Sequence, residues 1–144
     1  MNLEKLEDNL KNITKNLDKE NFLYNFLLAF DQPKATINRL KKGDLNQSKT
    51  DNEIIWKKKI YYHKIIGTDD VHDKIDELSK LNLIKKQNIR FIIVTDFRIF
   101  LSKDLKTDDT LDIEFSKLNE NLSFFLPLIG REKIFLDKEN PADI

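Results

Sequence analysis

The residues of this 144-residue chain best suited to chemistry lie between Glu53 and Lys64, in EIIWKKKIYYHK, where a carboxylate is followed by Lys57, Lys58, Lys59 and Lys64. A divalent cation such as Mg2+ prefers hard carboxylate oxygens, and a lysine beside it can activate or position an attacking water. Glu53 is therefore the candidate catalytic carboxylate, with Mg2+ as the cation if the site cleaves. Glu53 is the segment's one carboxylate, so a cation site would have to recruit Asp51 or Asp96 from outside it. His63 and His72 stand nine residues apart in a chain without cysteine, a poor donor set for a structural or catalytic metal, and no metal ligand is assigned. With three glycines in all, the chain has no glycine-rich phosphate loop, nucleophile elbow or dinucleotide fingerprint. These residues are expected to bind no organic cofactor.

Phosphate binding is the other chemistry in view. The net charge is zero, with 25 basic and 25 acidic residues, but the charge is uneven. Residues 31–66 hold nine basic against four acidic groups, a net of +5, while the segments on either side are net acidic. A surface for double-stranded DNA belongs in that middle segment. Its candidate contacts are Arg39, Lys41, Lys42, Lys57 and Lys59. The stretch from Pro33 to Gly43, with Ile37 and Leu40 inward and Arg39, Lys41 and Lys42 outward, resembles the recognition part of a helix-turn-helix. The same lysines also read as solvated tips on ordinary surface elements.

Such residues need a sheet to hold them. Phe91 to Val94 is an apolar run with the length and β-branching of a strand buried on both faces. Thr95-Asp96 can turn the chain, Ile99 to Leu101 resume as a strand, and Ser102-Lys103-Asp104 lead out. Beyond the polar turn at 107–110, Leu111, Ile113 and Phe115 alternate with Asp112 and Glu114 as a half-buried strand. Ile54 to Ile66 reads as one further strand, its lysines marking an exposed side.

Helices surround these strands. Leu3, Leu6, Leu10, Ile13 and Leu17 recur at three- and four-residue steps, an amphipathic helix expected to act as a lid or arm. A second helix runs from Lys19 to Ala29, and a third opens at Pro33 and closes at Gly43. Asp69-Asp70 caps a fourth that runs to about Leu81, and a helical or turn segment from Leu118 to Leu126 is stopped by Pro127 and Gly130. The expectation is an α/β (α+β) fold with a mixed sheet of about four strands flanked by helices. Its parts are an N-terminal helix at 1–18, one domain at 19–130 and a polar tail at 131–144.

Length suits one domain with its own core. The absence of cysteine suits a reducing cytosol. No apolar run approaches the ~18 residues of a membrane span, and the acidic N-terminus lacks the features of a secretory signal. The expected location is cytoplasmic.

The blocks NFLYNFLLAFDQPKATINRLKKGDLN, EIIWKKKIYYHK, IDELSKLNLIKKQNIRFIIVTDFRIFLSKDLKTDDTLDIEFSKL and FFLPLIGREK, in this order, resemble the N-terminal region of bacterial type II restriction-modification enzymes. In that group a nuclease module and a class I S-adenosylmethionine-dependent DNA methyltransferase share one polypeptide. The resemblance covers about residues 20–144 and implies a restriction-endonuclease-like mixed sheet, in which FIIVTDFRIFLSKDLKT follows the strand that carries Glu-x-Lys. It places Glu53 at the first acidic position and implies Lys64 as the candidate catalytic lysine paired with it. Tyr62-x-Lys64 then stands where Glu-x-Lys belongs, which implies a degenerate nuclease. Methyltransferase motifs are absent, since Asn140-Pro141 continues into Ala142-Asp143 and not into a catalytic tetrapeptide. S-adenosylmethionine is thus expected only in a further domain, to which EKIFLDKENPADI reads as the approach. The partners implied are DNA and the remaining domains or subunits of such an enzyme.

Overall fold

The protein is described by a computed structural model covering residues 2–131, so the expected tail lies, apart from Arg131, outside the described residues. Three helices come first: α1 (Leu3–Lys15), α2 (Phe22–Ala29) and α3 (Lys34–Lys42). They are followed by strands β1 (Glu53–Trp56) and β2 (Ile60–Lys64), then helices α4 (Val71–Ser79) and α5 (Asn82–Lys86). Strands β3 (Phe91–Thr95), β4 (Ile99–Asp104) and β5 (Thr110–Glu114) come next, and a run of 3-10 turns over Phe115–Ile129 closes the described chain.

Local chemistry accounts for several boundaries. Asn2 Oδ1 accepts from the backbone N–H groups of Glu4 and Lys5 and starts α1. Asp70 does the same for His72 and Asp73 at α4, satisfying donors that the first helical turn leaves free. Gly43 ends α3 at φ +89°, the left-handed position that glycine occupies without steric cost.

The five strands form one sheet in the order β1-β2-β3-β4-β5. Only β2 and β3 pair in parallel, and α4 and α5 make the crossover between them; the other neighbours are antiparallel. This is the mixed α/β sheet expected, with five strands instead of about four. The difference lies in Ile54 to Ile66, which is a hairpin and not one strand. Trp56 pairs with Ile60, leaving Lys57, Lys58 and Lys59 as the turn, and Lys58 takes φ +68°. Three consecutive lysines can remain hydrated at a tip but not along a paired strand, so the chain reverses there.

Strand alternation divides the interior into two cores. On one face Phe91, Ile93, Ile60 and Tyr62 pack with Phe22, Phe26 and Phe30 of the helical layer and with Phe125 of the 3-10 run. On the other, Ile92, Val94 and Tyr61 meet Val71 and Leu78 of α4 and Ile84 of α5. The N-terminal helix is not a lid. Leu6 and Leu10 are fully buried, because their stripe packs into the first core alongside the 3-10 run. Among the described residues, no helix is long and apolar enough to cross a membrane.

Candidate functional site

Lys64 ends β2 on the phenylalanine-rich face, two residues beyond Tyr62, where the helical layer leaves a cleft of about 280 Å³. Its walls include Lys41 and Lys42 from the end of α3, Lys49 from the loop that follows, Glu20 from the α1–α2 connection, and Tyr24. The Lys64 side chain is only 13% exposed, and its Nζ stands 3.9 Å from Glu20 Oε2. That is the outer limit of an ion pair with a carboxylate that is itself mostly in water. Lys41 Nζ lies 5.2 Å from the centre of the Tyr24 ring, a cation–π contact that orients the ammonium. Burial pushes the Tyr24 phenol up. The cleft thus gathers four lysines against the carboxylates of Glu20 and Asp51, with Glu53 at its edge, and it favours an anion more than a cation.

Tyr62 sits at the floor. It is 4% exposed, and its hydroxyl has no hydrogen-bond partner among the described residues. Burial pushes its phenol far above the ordinary value, so it stays neutral at neutral pH and cannot replace a carboxylate beside Lys64.

Glu53 borders the cleft, but its carboxylate is turned to the opposite side of the sheet. In the β1–β2 register Glu53 faces His63, and His63 shares strand parity with Tyr61, not with Tyr62 and Lys64. The Tyr61 hydroxyl donates to Glu53 Oε2 at 2.8 Å, and His63 Nδ1 lies 2.8 Å from the same oxygen. The hydrogen bond from His63 holds the Glu53 carboxyl below the usual glutamate range, with Tyr61 and Thr50 adding to it against the cost of burial. In the same network, burial and the neighbouring carboxylate push the Tyr61 phenol up.

A Mg2+ centre does not fit this arrangement. Among the described residues, no group of three or more His, Cys, Asp or Glu side chains is placed to hold a metal ion. Glu53 is engaged by Tyr61 and His63, and Lys64 faces Tyr62 where a second carboxylate would be required.

Of the five DNA-contact candidates, four divide between two places. Lys41 and Lys42 line the cleft, and Arg39 is exposed elsewhere on α3. Lys57 and Lys59 lie at the tip of the β1–β2 hairpin, at the other end of β1; at ~3.3 Å per residue the strand separates the two places by roughly 13 Å. Lys59 Nζ is 5.9 Å from the Trp56 ring. Neither the Glu53–His63–Tyr61 network nor the cleft is visible while Ile54 to Ile66 is read as a single strand. Recognising the hairpin gives the network at once, since it pairs position 53 with 63.

The family model described as MmeI, N-terminal domain, matches residues 1–144. Over all 144 residues the chain is 38% identical to DNA methyltransferase A of Bacillus subtilis (strain 168). It spans 16% of that protein's length. No solved structure matches the chain.

Proposed function

Since the chain belongs to the MmeI N-terminal domain family, we propose that it is the N-terminal, DNA-contacting domain of a type II restriction-modification enzyme. In this reading its fold is nuclease-like and its catalytic motif degenerate. The observation that carries the reading is the match over the whole chain, supported by 38% identity to a DNA methyltransferase of which the chain spans 16%. Methyl transfer, with S-adenosylmethionine, then falls to regions beyond these residues, and those regions are its covalent or docked partners.

The chemistry follows from the cleft. Tyr62-x-Lys64 occupies the place of Glu-x-Lys, and a neutral phenol supplies no oxygen hard enough for Mg2+. Lys64 has lost the task of activating water and keeps that of binding phosphate, together with Lys41 and Lys42. Arg39, Lys57 and Lys59 extend the contacts along the duplex. Contacts of this kind position DNA without reading its bases.

Binding and cleavage of a labelled duplex by this chain, at two salt concentrations and with or without manganese, test the proposal together. Six phosphate contacts give a log–log salt slope of about −5.4, a loss of roughly two-thousandfold between 50 and 200 mM. The expected result is such binding with no cleavage. Manganese-dependent cutting abolished in Glu53→Ala or Lys64→Ala would restore an active endonuclease and overturn the degenerate assignment. Absence of binding would leave a domain that docks the rest of its enzyme.

A further inference from the structure

We propose that the chain's main phosphate-binding surface is the hairpin-tip end of the sheet, where Lys85 and Lys86 of α5 join Lys57, Lys58 and Lys59 to grip the backbone of duplex DNA. This rests on the DNA-contacting reading above and assigns it a place. The two lysine groups are more than twenty residues apart in sequence, but the backbone ties them together. The Lys58 N–H donates to the carbonyl of Gln87, which caps α5, at 2.8 Å. The carbonyl of Lys59 accepts from Arg90 and Phe91 at 3.1 and 2.9 Å. All five lysines are exposed. None of them is in an ion pair among the described residues, whereas Lys64, Lys74, Lys80 and Lys117 each face a carboxylate.

The surroundings favour an anion. Arg90 at the same end is taken by Asp104, so it does not compete for an incoming phosphate. In the sheet register the acidic β4–β5 turn, with Asp108 and Asp109, lies two strands from β2, roughly 10 Å away. Lys58 holds a left-handed backbone, φ +68°, at a turn position where glycine or asparagine would fit with less strain. A lysine kept there at a conformational cost is explained by its charge. The half-buried Trp56 beneath Lys59 adds the aromatic floor against which a lysine can be held.

The ligand is a polyanion with regularly spaced charges. Five ammonium groups without an ion pair among the described residues, spread over a turn and a helix end, suit a phosphodiester backbone better than a single small anion.

The experiment is fluorescence anisotropy of the 144-residue chain on a 30-base-pair duplex over a salt series. The variants are Lys85→Ala/Lys86→Ala, Lys58→Gly, Lys41→Ala/Lys42→Ala in the cleft, and Lys5→Ala/Lys11→Ala on α1 as a control. The proposal expects the log–log salt slope to become shallower by about 2 in Lys85→Ala/Lys86→Ala and by about 1 in Lys58→Gly. It expects the same change on two unrelated duplex sequences and none in the control. Lys58→Gly should also melt no lower than the parent, which separates lost charge from lost structure. An unchanged slope in the Lys85→Ala/Lys86→Ala variant, with a reduced one in Lys41→Ala/Lys42→Ala, would overturn this placement and leave the DNA-contacting reading standing on the cleft. No binding by the parent chain would overturn both.

Discussion

Glu53 is the position on which a catalytic and a structural role make opposite predictions. In the structure its carboxylate accepts from Tyr61 at 2.8 Å, meets His63 at 2.8 Å and receives a weaker contact from Thr50 at 3.4 Å, with 17% of the side chain exposed. Hydrogen bonds to a charged group contribute ~1.5–3 kcal/mol each, and partners left buried without one cost ~1–3 kcal/mol. Glu53→Ala strands the Tyr61 hydroxyl and the His63 ring together, so after allowance for water reaching the edge strand the expected loss is about 3 kcal/mol. With a urea m-value of ~2 kcal/mol/M for a domain of this size, the midpoint falls by about 1.5 M at unchanged m. The assay is urea denaturation followed by Trp56 fluorescence. A double-mutant cycle with Tyr61→Phe should return a coupling of about 1 kcal/mol.

The pH dependence has a definite sign. The folded carboxyl is held below its unfolded value, so its contribution is complete above the unfolded glutamate value of about 4.3 and is lost as pH falls through the folded one. The stability gap between the parent and Glu53→Gln should therefore close in acid. A loss under about 0.5 kcal/mol in Glu53→Ala would refute the structural role. So would a manganese-induced rise in Tm that disappears in Glu53→Gln, since only a metal ligand produces it.

Other expectations follow from burial and pairing. Leu10→Ala, at a fully buried position, should cost ~2–5 kcal/mol in urea denaturation, and deletion of residues 1–18 should abolish cooperative unfolding. Asp104 is 0% exposed and holds Arg90 through two bonds of 2.7 and 2.9 Å; Asp104→Asn leaves the guanidinium without its counter-charge and should cost ~3 kcal/mol by the same measurement. His72 is raised by its hydrogen bond to Asp112, so its NMR titration midpoint should lie above the usual histidine value and drop in Asp112→Asn. The stabilisation from that pair is complete below about pH 6.5 and is lost as pH rises through the folded value, and because both groups are more than half exposed it should stay within a few tenths of a kcal/mol.

Residues 91–115 were legible in the sequence because each signal there is local. The β-branched run of β3, the turn at Asp96 and the alternation of β5 depend only on neighbours along the chain, and the Asp70 cap and Gly43 stop are local in the same way. The family, too, was legible, since block order and spacing are properties of the sequence. Whether Ile54 to Ile66 was one strand or two depended on pairing, which period-two alternation does not encode, and that decision turned Glu53 away from Lys64 and toward His63. Whether Leu6 and Leu10 served a lid or a core depended on what lay opposite their stripe, and the 3-10 run more than a hundred residues later supplied it. Charge counted along the chain placed Lys85 and Lys86 in an acidic segment. The hydrogen bond from Lys58 to Gln87 set them beside the lysine turn, because an electrostatic surface is assembled by tertiary contacts and not by order in the sequence.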